Sequence, residues 1–413
     1  MHSNTAFVLT VLVLCYAVVS GLVKRWYLAP ALIFVLFGIV LGPFVFDVID
    51  IGTDAASFTV VAQLALTVIL FNQAAQLDLS VVFRRREVTF RLLVIGIPLA
   101  LTLGTLTAIL VLPVMPLWEA VCLAAIVAPT EVALIDALLE DKRIPERIRH
   151  ALSTESGFYD GFALAAMLAA LALASEQADP DANRWTLFLV RTEVVSVVVG
   201  LGVGLLGGLV IARSQKREWM SDTWAQLATL AVALVCFQVG EGLHGSGFVA
   251  AFAGGLAFAF MARRAGVPPQ MQVSEAAGQL LELMVFAMFG SYAVIAGWRD
   301  AGWRVVVFAV VALFAVRMVA VGLALIRSDL PARNRLFIGW FGPRGIGTLV
   351  LGVLVVERGQ IEQESLIVQV VAVTVTLSLV VHSLSAWPGI RWLAAVPGET
   401  GAPDAIPART PPH

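Results

Sequence analysis

Charge is scarce in this sequence. Of its 413 residues only 14% are charged and 59% are hydrophobic, where a soluble domain carries roughly 25% charged residues. The mean hydropathy of +0.90 and the spacing of the charges exclude an ordinary water-soluble domain. Charges cluster between apolar stretches about 20 residues long, the length of a helix that crosses a bilayer. A basic excess is also missing, with 27 Lys and Arg against 29 Asp and Glu. No basic stripe exists to neutralise phosphates, which excludes a nucleic-acid partner. Cysteine is nearly absent. Cys15, Cys122 and Cys236 lie within apolar stretches and lack metal-ligand spacing, so they read as small buried residues. The first apolar run, Thr5 to Val23, has no basic segment before it and ends at Lys24-Arg25. It reads as a retained helix rather than a cleaved signal. No cofactor is expected.

Glycine and proline are plentiful, at 34 and 18 residues, as in packed membrane helices. The pattern predicts an all-α membrane protein of about thirteen transmembrane helices. They fall near 5–23, 29–46, 57–76, 89–113, 117–139, 150–174, 185–212, 222–240, 246–262, 274–297, 301–326, 336–356 and 365–386. Most of the 27 basic residues fall in loops on one side, including Lys24-Arg25, Arg84-Arg85-Arg86, Lys142-Arg143, Arg263-Arg264 and Arg333 with Arg335. The other side holds Arg184, Arg191, Arg299, Arg304 and Arg358 beside acidic loops such as 47–50 and 176–179. Basic loops stay in the cytoplasm, which predicts an outside N-terminus and a cytoplasmic C-terminus in a prokaryotic plasma membrane. The last stretch, 391–413, reads as a disordered cytoplasmic tail.

Thirteen helices divide as six, one and six. Residues 1–390 form one membrane domain, with inverted repeats at about 1–174 and 222–390 linked by helix 185–212. In this scheme the fifth and twelfth helices correspond. Both are interrupted, by Ala128-Pro129-Thr130-Glu131 and by Gly342-Pro343-Arg344-Gly345-Ile346-Gly347. A Gly/Pro-broken pair at matching positions points to a midplane site, while the bland reading of each is a simple kink.

An ionisable group at bilayer depth costs roughly 2.5–3.5 kcal/mol on insertion scales, so each one needs a partner or a task. Thr130, Glu131, Asp160 and Arg344 all lie near the middle of their spans. Along Thr154-Glu155-Ser156-Gly157-Phe158-Tyr159-Asp160-Gly161, a rotation of about 100° per residue puts Ser156 and Asp160 on one face and Glu155 and Tyr159 on another. Arg344 is the natural counter-charge for Glu155 in a structural ion pair. Asp160 has no arginine at its own level, judging by where Arg317 falls in the eleventh span. A hard monovalent cation prefers oxygen ligands, and one carboxyl shared between cation and proton makes an exchanger if the site alternates between sides. A helix-contact hydrogen bond is the bland reading of Asp160.

Glu155-Ser156, Asp160-Gly161, Gly342-Pro343-Arg344-Gly345, Ser246–Ala250 with Gly254-Gly255, and Phe37-Gly38 with Gly42-Pro43 occur in order along the chain. Together they resemble the NhaP-type branch of monovalent cation/proton antiporters, which is related to the animal sodium/proton exchangers. Two departures stand out. The family's Thr-Asp-Pro is Thr130-Glu131-Val132 here, with proline moved ahead to Pro129, and the Asn before the key aspartate is Tyr159. The resemblance implies exchange of Na⁺, or of K⁺ or Li⁺, for H⁺ in a homodimer, with a core part that moves against a dimerisation part. It implies Asp160 as carrier, with Thr130 and Ser156 as further ligands and Tyr159 and Glu131 beside them. With one acid where electrogenic branches have two, it also implies electroneutral exchange.

Two other classes compete. A cation channel or sensory protein would use the same broken helices, and proton-coupled flux separates it from an exchanger. An intramembrane aspartyl protease would use Tyr159-Asp160 with a Pro-Ala-Leu like Pro30–Leu32, but it needs a second aspartate in Gly-x-Gly-Asp, which the chain lacks. A zinc protease is excluded by the absence of His-Glu-x-x-His.

Overall fold

A computed structural model describes residues 3–48, 55–77, 88–176, 182–358 and 361–395, and no strand occurs among them. The helices are α1 (Ser3–Arg25), α2 (Pro30–Leu41), α3 (Ala55–Gln76) and α4 (Val88–Val111). They continue as α5 (Leu117–Val127), α6 (Glu146–Glu176), α7 (Ala182–Lys216), α8 (Asp222–Gly242), α9 (Gly247–Arg264) and α10 (Gln272–Asp300). The last are α11 (Trp303–Ala324), α12 (Ala332–Trp340), α13 (Ile346–Arg358) and α14 (Glu364–Ala394). Among the described residues nine helices are long and apolar enough to span a bilayer, and Pro30–Leu41, Leu117–Val127 and Ile346–Val356 are shorter apolar helices. The chain is an all-helical integral membrane protein. Large apolar side chains face outward, Val18 and Leu110 among the most exposed, as lipid contact requires.

Two groups of helices frame the site. In one, α10 packs on α2 and α3, while α9 packs on α3, α7 and α8. Small residues permit this closeness: a Cβ on Gly204 would overlap the backbone of Gly254. The other group joins α5 to α6 and α4, and α14 to α11 and α13, and it meets the first where α14 packs on α10. Two of its helices are wound locally as π-helix, α4 over Leu92–Gly96 and α11 over Val311–Val316. In α4 the wide turn accommodates Pro98, which has no N–H to donate.

Both expected interruptions are present. α5 closes at Ala128, whose N–H donates to Ala124 O, and a short 3-10 turn resumes at Val132. α12 ends where Phe341 N–H donates to Phe337 O, and α13 begins at Ile346. At the chain's end α14 runs on through Pro388 to Ala394, past the expected limit of 386 and into the stretch expected as tail. Its extra turns are held by cation–π contacts, Arg143 lying 5.0 Å from the Trp387 ring and Arg333 4.6 Å from Trp392. Residues 396–413, like the clusters 84–86 and 177–179, lie outside the described residues.

Candidate functional site

The two interruptions meet. Glu131 N–H donates to Pro343 O at 2.8 Å, so the backbone released from one broken helix is satisfied by the other. Such pairing is what makes irregular backbone tolerable at bilayer depth. Further bonds fix the second break: Arg344 N–H donates to Ser378 Oγ at 2.6 Å, and His382 Nε2 lies 3.0 Å from Trp340 O. The Glu131 carboxyl is faced by the backbone N–H groups of Ala133 and Gly347. Gly347 lies in the first turn of α13, where the helix dipole favours an anion.

α6 passes this crossing and presents two faces to it. On the first, Ser156 Oγ donates to Thr130 O at 2.5 Å, which leaves its oxygen lone pairs free. Asp160, one turn on, is only 4% exposed. A Cβ added to Gly347 would lie 3.1 Å from Asp160 Oδ1, so the bare backbone of α13 lets the carboxyl approach. Neither Asp160 oxygen has a hydrogen-bond partner among the described residues; Gln73 lies beside the carboxyl without closing a bond. Glu131 Oε2 is likewise buried and unpartnered. Thr130, Glu131, Ser156 and Asp160 thus come together at one crossing.

The second face carries Glu155 and Tyr159. Here the structure corrects the expected ion pair: Glu155 is held by Arg317, not Arg344, through two bonds of 2.8 and 2.9 Å. Arg317 also reaches Ile338 O at 3.4 Å, and a Cβ on Gly342 would overlap its guanidinium. The Arg344 side chain turns back to its own loop, donating to Gly342 O at 2.6 Å. The π-helical stretch Val311–Val316 ends immediately before Arg317. A wider turn resets the facing of every later residue, which placement by span level does not capture. Tyr159 sits with this pair, against Ile97, Ala128 and Val316, and its hydroxyl closes no hydrogen bond among the described residues. It is not brought to the Ser156–Asp160 side of α6.

Ser156, on that side, and Glu131 line the deep end of a cavity of about 580 Å³, which opens between the ends of α3, α6 and α10, and Asp160 lies one turn beyond its lining. Gln76, His150 and Glu275 line its mouth, and Glu131, Ser156 and Glu282 lie deeper. The mouth is at the end of the molecule that carries the basic loops. Glu282 was missed from the sequence. It lies near the middle of the span expected at 274–297, and the test applied to Glu131 and Asp160, an acid at bilayer depth, would have found it.

A polytopic helical membrane protein built round a buried, unpartnered carboxyl at the meeting of two broken helices belongs to the secondary-transporter class. The chain is a member of the sodium/hydrogen exchanger family, whose transmembrane model matches residues 9–392. This is a family of cation/proton antiporters. Similar proteins include the K⁺/H⁺ antiporter NhaP of Alkalimonas amylolytica, 26% identical over 95% of this chain and 67% of that protein. A probable Na⁺/H⁺ antiporter of Schizosaccharomyces pombe is 25% identical over 85% of this chain and 50% of its own length. The K⁺/H⁺ antiporter NhaP2 of Shewanella sp. strain ANA-3 is 23% identical over 86% of this chain and 61% of its own. The chain thus spans half to about two thirds of the length of these curated relatives. In fold it is similar to the sodium proton antiporter MjNhaP1 from Methanocaldococcus jannaschii, with a TM-score of 0.77 at 18% identity, covering 92% of this chain and 98% of that one. The relatives are antiporters, not enzymes, which leaves the aspartyl protease reading without support.

Proposed function

We propose that this protein exchanges an alkali cation, Na⁺ or K⁺, for protons, with Asp160 as the shared carrier. The observation behind this is the Asp160 carboxyl, buried and unpartnered among the described residues, one helical turn beyond Ser156, which with Glu131 lines a cavity open to one side. A bare carboxylate there is costly. A proton removes its charge and a cation compensates it, so the group binds one or the other. Thr130 and Ser156 supply neighbouring oxygens. Glu155 and Arg317 neutralise each other on the far face of α6, and with Asp160 as the one acid that exchanges its charge the exchange is electroneutral.

Alternating access would come from one group of helices rocking against the other about the crossing. The reading includes inverted repeats at about 1–174 and 222–390, a homodimer, and basic loops on the cytoplasmic face of a plasma membrane. Proteoliposomes test it: an imposed pH gradient drives uptake of Na⁺ or K⁺, and an imposed cation gradient drives protons. Cation flux with no proton coupling would instead identify a channel.

A further inference from the structure

We infer that Glu282 is a cation ligand that serves the site only from the side of the basic loops. The inference rests on the antiport reading above.

Three observations carry it. First, Glu282 is 7% exposed and lines the same cavity as Glu131 and Ser156. Its carboxyl is close enough to Glu131 and Asp160 to interact electrostatically with both. Secondly, nothing holds it. No hydrogen bond or ion pair to Glu282 occurs among the described residues. Its neighbours nearer the start of α10 are tied to α3: Ser274 Oγ donates to Asn72 Oδ1 at 2.6 Å, and Gln76 Nε2 donates to Glu275 Oε1 at 2.8 Å. A buried acid is normally paired, and at this depth an unpaired one marks an ion pathway. The buried, unpartnered oxygens of Glu131 and Asp160 are a separate sign that the pocket is built for a cation.

Thirdly, Glu282 and Asp160 stand on different helices with different main neighbours. α10 packs most closely on α2, where a Cβ on Gly38 or Gly290 would overlap the facing backbone at Ala287 or Val35, and it also packs on α14, where a Cβ on Gly297 would overlap Ala372. Asp160 stands on α6, which packs on α5. The cavity lies between α6 and α10. Rocking that closes it and opens the opposite side removes the approach that passes Glu282. A cation arriving from the basic-loop side therefore meets oxygens from both helices, whereas a cation arriving from the other side meets only those that travel with Asp160. Glu282 would strengthen binding on one side alone.

The test is exchange kinetics on Glu282→Gln and Glu282→Asp in vesicles of each orientation, scored by protease access to a C-terminal tag, with Na⁺ and K⁺ as probes. For Glu282→Gln we expect the apparent KM to rise at least tenfold for cation presented to the basic-loop side. From the opposite side it should stay within twofold of wild type. The shorter Glu282→Asp should recover part of the loss. An unchanged KM on the basic-loop side, or an equal change on both sides, overturns the inference while leaving antiport intact. Failure to recover either variant as folded protein assigns Glu282 to folding and overturns it as well. A wild-type protein that exchanges no ion against protons removes both readings.

Discussion

Arg317 grips Glu155 with both ends of its guanidinium, at 2.8 and 2.9 Å, from a helix 162 residues away in sequence. Removing one partner of a buried pair strands the other charge, at a cost of about 3–5 kcal/mol. Arg317→Ala should therefore lower the melting temperature in detergent, and Glu155→Gln in the same chain should restore part of it. The same second change should do little for Arg344→Ala, because Arg344 bonds to Gly342 O. Thermal melting of the four variants checks this, and rescue of Arg344→Ala alone would reverse the assignment.

Asp160→Asn should abolish exchange and leave a folded, membrane-inserted protein. Asparagine fills the same space but carries neither proton nor charge. Cation-dependent proton flux near the wild-type rate in reconstituted vesicles would remove Asp160 from its role.

Gly347→Ala should lower cation affinity about tenfold, or about 1.4 kcal/mol, with little loss of folded protein. The new methyl would press on Asp160 Oδ1 from 3.1 Å and occupy space a cation would share. Titration of exchange against cation concentration reads the effect, and an unchanged midpoint would place the cation away from this carboxyl oxygen.

Electroneutral exchange predicts that the equilibrium cation distribution ignores voltage. A potential of 100 mV is worth about 2.3 kcal/mol per charge moved, roughly fiftyfold in an equilibrium. Vesicles clamped at zero and then at 100 mV should give the same distribution. A shift would mean that a second acid, Glu131 or Glu282, exchanges its charge as well.

Outside the membrane, Asp141 accepts from Tyr27 Oη at 2.7 Å and from Arg143 at 2.9 and 2.7 Å, tying the end of α1 to the loop before α6. The Arg143 guanidinium, with Tyr27, holds the Asp141 carboxyl below the ordinary carboxylate range. Its stabilisation is therefore complete above the ordinary value near 3.8 and fades as pH falls below it. Asp141→Asn should lower the melting temperature at pH 7, by an amount equivalent to about 1 kcal/mol, since Arg143 stays open to water. The difference from wild type should shrink at pH 3.

The amino-acid sequence by itself determined the membrane class and the approximate course of the helices, because 20-residue apolar runs have few alternatives in a bilayer. It also determined where two helices break, since Pro129 and the Gly342–Gly347 stretch cannot continue a helix unaided. The two faces of α6 follow from helical rotation alone, and the acids and arginines at bilayer depth are visible as exceptions in apolar runs. Which charges meet was decided only by tertiary structure. Span level measures depth, not the direction a side chain faces round its helix, so mid-span Arg344 was expected to pair with Glu155 in place of Arg317. The π-helical stretch before Arg317, the Arg344 bond to Gly342 O and the placing of Tyr159 on the arginine face depend on neighbouring helices. The same holds for Glu282, whose carboxyl joins the site only because α10 is packed on α3 across the cavity from α6.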